Sequence, residues 1–351
     1  MRDVAILSHV QGPSVRDSGG TNEIEMLMPV LAEAHERAGV SRKEIDFTCS
    51  GSCDYLAGAS FAFVSAVDTL GACPPIAESH VEMDAAWALY EAWVKIQCGH
   101  VDTALVFGFG KSSPGELTDV LTLQLDPYYL APLWPDTASI AALQARTLLE
   151  QTDVTERDMA EVVARSRKNA LDNPRAQLRG NVDVDKLLAE PMHISPLRKH
   201  DCAPISDGAS AMVIAAGDIA RKKCKRPAWI RGIDHRIESH HLGTRDLAKS
   251  TSTEIAGKRA GVGNGPIDIA ELHAPFSHQE IILSRALGLG SEVRINPSGG
   301  ALGANVMMAA GLDRIGEAAN QILDGNAERT LGHATSGPCL QQNLVVVLEG
   351  E

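Results

Sequence analysis

Apolar residues fall in short blocks, and the stretches between them carry a helical period. Residues 3–8 (Asp-Val-Ala-Ile-Leu-Ser) read as a strand, and residues 22–39 as an amphipathic helix that closes at Gly39. Strands follow at about 45–49 and 75–79, then a helix at 83–97 and a buried strand at 102–108 that ends in glycine. The second half repeats this grammar. Strands are predicted near 228–234, 267–272 and 343–348, with helices near 251–262, 277–288 and 304–323. Strands spaced by helices imply βαβ units and a mainly parallel sheet covered on both faces, so the fold class is α/β.

Between the halves, over residues 113–200, the pattern turns helical and irregular. Pro114, Pro127, Pro132, Pro135, Pro174, Pro191 and Pro196 fall there, beside a helix predicted at about 155–171. A stretch with its own helix is an insertion, not a linker. At 351 residues the chain buries a sizeable core, and 32 Lys and Arg against 45 Asp and Glu give a formal net charge of −13. That balance argues against a nucleic-acid or anionic-membrane partner, and aromatics at 4% offer few stacking platforms. No apolar run reaches the roughly 18 residues that span a bilayer. The chain enters a strand at once, which leaves no room for a secretory signal. Cys49, Cys53, Cys73, Cys98, Cys202, Cys224 and Cys339 form an odd set without metal spacing. Reduced thiols, a cytoplasmic location and no metal site are therefore expected.

Four segments carry a resemblance. They are Arg167-Lys-Asn-Ala-Leu-Asp-Asn-Pro-Arg-Ala-Gln177, the run from Pro196 through Ser206-Asp-Gly208 to Ala211, Glu271-Leu-His-Ala-Pro-Phe276, and Asn296-Pro-Ser-Gly-Gly300. Taken together and in this order, they resemble the thiolase superfamily, specifically its sterol-carrier-type and actinobacterial lipid-transfer-protein branch. The resemblance implies two five-stranded βαβαβαββ halves with a helical loop insertion. The boundaries it suggests are 1–112 with 201–220 for the first half, 113–200 for the insertion and 221–351 for the second half. It further implies an obligate dimer, either a homodimer or a heterodimer with a paralogue, and an acyl-CoA substrate. The active site is expected where the N-termini of the two central helices meet.

In that family a cysteine four residues after the valine of a Val-Glu pair takes the acyl group. Here the count from Val81 lands on Ala85, with Asp84 one place away, and Trp87 and Ala88 stand where serine and glycine are usual. A methyl group cannot form a thioester. His273 keeps the family histidine, although Ala274 replaces the usual aspartate, and Asn305 falls near the family's second histidine. By the resemblance, His273 and Asn305 donate hydrogen bonds to a thioester oxygen, and His333, in Leu331-Gly-His-Ala-Thr-Ser-Gly337, is the acid/base of a glycine-flanked loop. This apparatus suits retro-aldol cleavage of a β-hydroxyacyl-CoA. The steroid side-chain aldolases of the branch are similar, and they work with an OB-fold, zinc-ribbon companion.

Other residues admit two readings. The clusters Arg165/Arg167/Lys168 and Arg198/Lys199/His200 are either CoA phosphate contacts or solvated charge. Tyr128, Tyr129 and the Gly300 turn are candidates for the substrate side. Asn305 opens the helix expected at 304–323, where asparagine is also a favoured N-cap. Cys339 is a displaced nucleophile or a buried structural thiol, His240 and His241 read as a solvated loop, and Met307-Met308 as core filling. Three functions remain open: an acyl-CoA carbon–carbon lyase, a thiolase with a relocated nucleophile, and a non-catalytic subunit that binds acyl-CoA or supports an active paralogue. None requires a cofactor beyond the coenzyme A of the substrate.

Overall fold

The computed structural model describes residues 2–71 and 76–350. Cys73 and the first residue of the strand expected at 75–79 lie outside them. The described residues form twelve strands: β1 Val4–Gln11, β2 Phe47–Gly51, β3 Glu78–Val81, β4 Thr103–Gly110, β5 Met192–Ile194, β6 Leu197–Arg198, β7 Gly208–Ala216, β8 Ala228–Ile237, β9 Ile269–Glu271, β10 Arg294–Ile295, β11 Arg329–Ser336 and β12 Gln342–Glu349. Ten of them form one sheet in the order β10-β9-β11-β12-β8-β1-β7-β4-β2-β3. From either edge, the strands of each half appear in the order third, second, fourth, fifth, first. The halves join where Ala5 and Ile6 of β1 pair antiparallel with Trp229 and Ala228 of β8. This is the doubled βαβαβαββ arrangement, with the insertion between β4 and β7.

The sheet is mixed and not mainly parallel. β2 runs parallel to β3 and β4, and β9 to β10 and β11, while β7 and β12 run antiparallel to both of their neighbours. The reason is local: the fifth strand of each half returns without a crossover helix, through a tight turn in the case of β12. β1, β4 and β7 are buried along their whole length, and in β1 the polar Ser8, His9 and Gln11 are buried beside the apolar residues.

The helix Glu23–Ala38 starts in a capping box of Asn22 and Glu25 and stops at Gly39 in the left-handed conformation, as the sequence predicts. The two central helices, Ala85–Gln97 and Ala310–Leu323, share one apolar core with both halves of the sheet. The second starts at Ala310 and not at 304, so residues 304–309 form a loop. β11 was expected as a loop because it holds only small and polar side chains besides Leu331. It is nevertheless a central strand, and Gly332 is bare because a Cβ there would stand 2.6 Å from Cα of Ile315. Among the described residues no helix is long and apolar enough to cross a membrane.

Candidate active site

A cavity of about 520 Å³ opens between the N-termini of the central helices and the insertion. Asp84, His273, Asn305, Met308 and Thr335 line its floor, and Leu121, Ile140 and Phe276 belong to its apolar wall. A larger surface hollow, about 890 Å³, runs along Lys258, Arg285 and Glu292 and holds none of the expected residues.

His273 follows β9 on a segment fixed from beneath by buried charge. Glu271 accepts from Ser298 (backbone N–H at 2.9 Å, hydroxyl at 2.7 Å) and from Arg314 at 3.1 Å. Asn296 accepts the N–H of Leu272 at 2.6 Å and donates to Glu280 at 2.7 Å. Burial pushes the Glu271 carboxyl up to about 6 although Arg314 pulls it down. The Asn-Pro-Ser-Gly-Gly turn is thus the bracket that aims His273.

The imidazole has one hydrogen-bonding arrangement. Nδ1 accepts the backbone N–H of Thr335 at 3.3 Å, which can only donate, so Nε2 carries the proton and donates to Oδ1 of Asn305 at 3.1 Å. Burial lowers the His273 pKa to about 4, against the raising effect of the Asn305 bond, so the ring is neutral at pH 7. Asn305 does not cap a helix. It sits in the 304–309 loop, where its N–H donates to Oγ of Ser206 at 3.3 Å and Val306 bridges to Ser206. Asp207 anchors that strand entry by accepting from the backbone and hydroxyl of both Ser18 and Ser113. Nδ2 of Asn305 is left without a protein partner among the described residues. His273 thus spends its one proton on Asn305, and the two side chains line the cavity as a hydrogen-bonded pair whose unpaired donor is Nδ2 of Asn305.

The two candidates for the absent nucleophile separate clearly. Ala85 is fully buried and lies against two glycines: a Cβ on Gly108 would stand 2.8 Å from its own Cβ, and a Cβ on Gly51 would meet its backbone. Its N–H donates to the carbonyl of Met308 at 2.9 Å. Asp84, and not Ala85, lines the cavity. The Asp84 carboxylate caps both central helices, accepting from Ala86 at 2.9 Å, Gly311 at 2.8 Å and Leu312 at 3.0 Å. Burial nevertheless pushes it up to about 6, with the nearby Asp313 acting in the same direction.

His333 is not in a loop. It lies in the middle of β11, fully buried, with Nε2 donating to Oδ1 of Asn343 at 3.0 Å. Burial and the neighbouring His273 lower its pKa to about 3. Arg198 is buried and bonded to Glu156 at 2.8 Å, and His200 is bonded to Glu190 at 2.8 Å. Lys199 is exposed, and Arg165 pairs with Glu280. Tyr128 and Tyr129 point outward, 82% and 64% exposed. Gly300 is buried, its N–H on Oγ of Ser298 at 3.3 Å. None of these lines the cavity.

Met307 and Met308 do line it and are not core filling in a helix. Their carbonyls press on the bare Gly110 and Gly108, which is why β4 ends in Gly-Phe-Gly. Cys339 also lines the cavity, but its thiol is pushed up to about 12 by burial and bonds to the Ile140 carbonyl at 3.5 Å. His240 is an exposed side chain bonded to Asp126 at 3.2 Å. Among the described residues no group of three or more His, Cys, Asp or Glu side chains is placed to hold a metal ion.

A doubled five-stranded sheet around two buried helices, with the cavity at their N-termini, defines a thiolase-like protein. No family model matches the chain. In sequence it is similar to the acetyl-CoA acetyltransferase of Methanothermobacter thermautotrophicus, 26% identical over 330 residues that span 86% of this chain and 85% of that protein. It is 24% identical over 297 residues to sterol carrier protein 2 of Gallus gallus, spanning 73% of this chain and 54% of that protein. In structure it superposes on the Ltp2-ChsH2(DUF35) aldolase with a TM-score of 0.81 at 18% identity, over 99% of this chain and 97% of that one. With the Bacillus anthracis acetyl-CoA acetyltransferase the TM-score is 0.80 at 18% identity, over 100% and 99%. The chain has the thiolase fold, and its likeness extends to the sterol-carrier and lipid-transfer branch of that superfamily.

Proposed function

We propose that the protein is an acyl-CoA carbon–carbon lyase, cleaving a β-hydroxyacyl-CoA by a retro-aldol reaction to a ketone or aldehyde and a shorter acyl-CoA. One observation carries the reading: the cavity presents the hydrogen-bonded pair His273 and Asn305, whose free Nδ2 and shared imidazole proton can turn to a substrate oxygen, and among the described residues no competent nucleophile stands beside it. Ala85 has no reactive atom, and the thiols of Cys202 and Cys339 are both pushed up to about 12. The donor pair suits an enolate oxygen, which needs preorganised N–H groups and no covalent intermediate. The apolar wall of Leu121, Ile140 and Phe276 suits a bulky, steroid-like acyl group. The aldolase on which the chain superposes is a pair of proteins, Ltp2 and ChsH2, which supports a companion protein for this chain; that the companion is an OB-fold, zinc-ribbon protein belongs to the family resemblance. A dimer, with itself or with a paralogue, and a cytoplasmic location belong to the same reading.

Acyl transfer is the second reading, favoured by the acetyl-CoA acetyltransferase similarity over most of the chain. Mass spectrometry on the purified protein and its co-purified partners separates the two. A β-hydroxyacyl-CoA with a tertiary β-carbon is expected to yield a ketone and a short acyl-CoA without free CoA. Cleavage of a β-ketoacyl-CoA that strictly requires free CoA would overturn the lyase. Binding of acyl-CoA without cleavage of either would make the chain a non-catalytic subunit.

A further inference from the structure

The lyase reading needs a base for the β-hydroxyl, and the histidine expected for that task is sealed inside β11. We infer that Asp84 is that base, a carboxylate on the floor of the cavity one residue before the position where the resemblance places a nucleophile. The inference rests on the lyase reading.

Three arguments support it. The first is acceptor capacity. A carboxylate offers about four lone-pair sites, and backbone donors fill three: Ala86 and Leu312 on Oδ1 and Gly311 on Oδ2. One site on Oδ2 remains for a substrate hydroxyl. The second is proximity. Asp84 precedes Ala85, whose N–H is bonded to the Met308 carbonyl at 2.9 Å, and Met308 lies three residues after Asn305. Three residues reach at most about 11 Å, so base and oxyanion donors share one small floor. The third is electrostatic. Burial raises the basicity of Asp84, and Asp313, on the helix it caps, adds to that. The other neighbours packed around Asp84 and Ala85, namely Gly51, Gly108 and Met308, carry no charge. A carboxyl held at about 6 is ionised at neutral pH and still basic enough to take a proton.

The step balances without a co-reactant. Asp84 takes the proton of the β-hydroxyl, and the O–H electron pair becomes the new C=O bond. The Cα–Cβ bond breaks, and its pair forms the enolate whose oxygen rests on His273 and Asn305. The proton on Asp84 then passes to Cα, which restores the thioester carbonyl and releases the short acyl-CoA.

The test is D84N beside D136N and H193Q, which replace two other titratable groups lining the cavity. All are assayed for CoA-free cleavage, with folding checked by circular dichroism. D84N is expected to lose about 10²–10⁴-fold in kcat, at least about tenfold more than either D136N or H193Q. Wild-type kcat/KM is expected to rise with pH through about 6, and that limb to persist in H193Q. The pH limb decides the matter if D84N fails to fold. A flat profile, loss of the limb in H193Q, or an active D84N would overturn Asp84 while leaving the lyase reading intact. Wild-type protein that cleaves nothing without CoA would end both.

Discussion

His273 and Asn305 come from segments 32 residues apart and meet at 3.1 Å, with the imidazole proton on the nitrogen that faces the amide. The Thr335 N–H on Nδ1 fixes that tautomer. Because the ring is held neutral down to about pH 4, its donor character does not change across the working range. Removing one such donor costs about 10²–10³ in kcat. H273A is expected to fall by that factor with an unchanged circular dichroism spectrum, and N305A to fall similarly. A variant of either residue with normal turnover would remove the pair from the chemistry.

His333 is expected to act on stability alone. Its Nε2–H satisfies Asn343, whose own amide donates to Ser252 at 2.7 Å and to the Leu340 carbonyl at 2.8 Å. Truncation leaves Oδ1 of Asn343 buried without a donor and opens a void. H333A is expected to lose about 2–4 kcal/mol in urea unfolding, with kcat at 15 °C within tenfold of wild type. A large loss of kcat at unchanged stability would return the residue to the acid/base role its motif implies.

The motifs reveal the framework because they are scaffold. Ser206-Asp207-Gly208 and Asn296-Pro-Ser-Gly-Gly300 are legible as patterns, and each turns out to hold a donor in place: Ser206 holds Asn305, and the Asn296 turn holds His273. The central strand β11 was hidden because burial on both faces does not require large apolar residues when a helix approaches as closely as Ile315 does. The loop 304–309 was hidden because Met308 takes a left-handed φ of 67°, which nothing in an apolar Met-Met pair announces. Asp84 was noticed only as a neighbour of the missing cysteine. Its role depends on N–H groups more than 220 residues away, at Gly311 and Leu312, and no local spacing encodes that.

Restoring a cysteine at Ala85 is not expected to restore acyl transfer. The Ala85 methyl faces Gly108 and the core, so a sulfur there enters packed space and not the cavity. A85C is expected to resist alkylation by iodoacetamide in the native state, to form no acyl-enzyme detectable by intact mass, and to be destabilised by about 1–3 kcal/mol. Rapid labelling of the new thiol would show that residue 85 reaches solvent after all.

The buried His9 is expected to make Gly316 indispensable. Its ring, bonded to Ser210 at 3.1 Å and to Asp313 at 3.3 Å, occupies the space a Cβ on Gly316 would take. Normally a Gly to Ala change inside a helix adds about 1 kcal/mol. Here the clash is expected to reverse the sign, and G316A to lose about 1–3 kcal/mol in urea unfolding. A more stable G316A would mean that His9 has room to move.

Acid stability tests the buried titrating groups together. His273, His278 and His333 are held near 4, 3 and 3, against 6.5 for an ordinary imidazole. Over that interval only the unfolded chain takes their protons, so each costs stability as pH falls. Asp84 and Glu271 work in the opposite sense. Both are pushed up to about 6, so the native chain binds their protons first and gains stability as pH falls from about 6 towards 4. His35 and His235 are also lowered by burial and join the imidazole side, while burial raises Glu78 and Glu317 on the carboxyl side, so five imidazoles stand against four carboxyls and the balance favours unfolding as pH falls. Urea midpoints are therefore expected to decline steadily between about pH 6 and pH 4.5. H278Q, which removes one imidazole outside the His273–Asn305 pair, is expected to make that decline shallower. A wild-type protein that grows more stable across the same interval would show that the carboxyls outweigh the imidazoles, and with them that the ring of His273 is charged more readily than its burial implies.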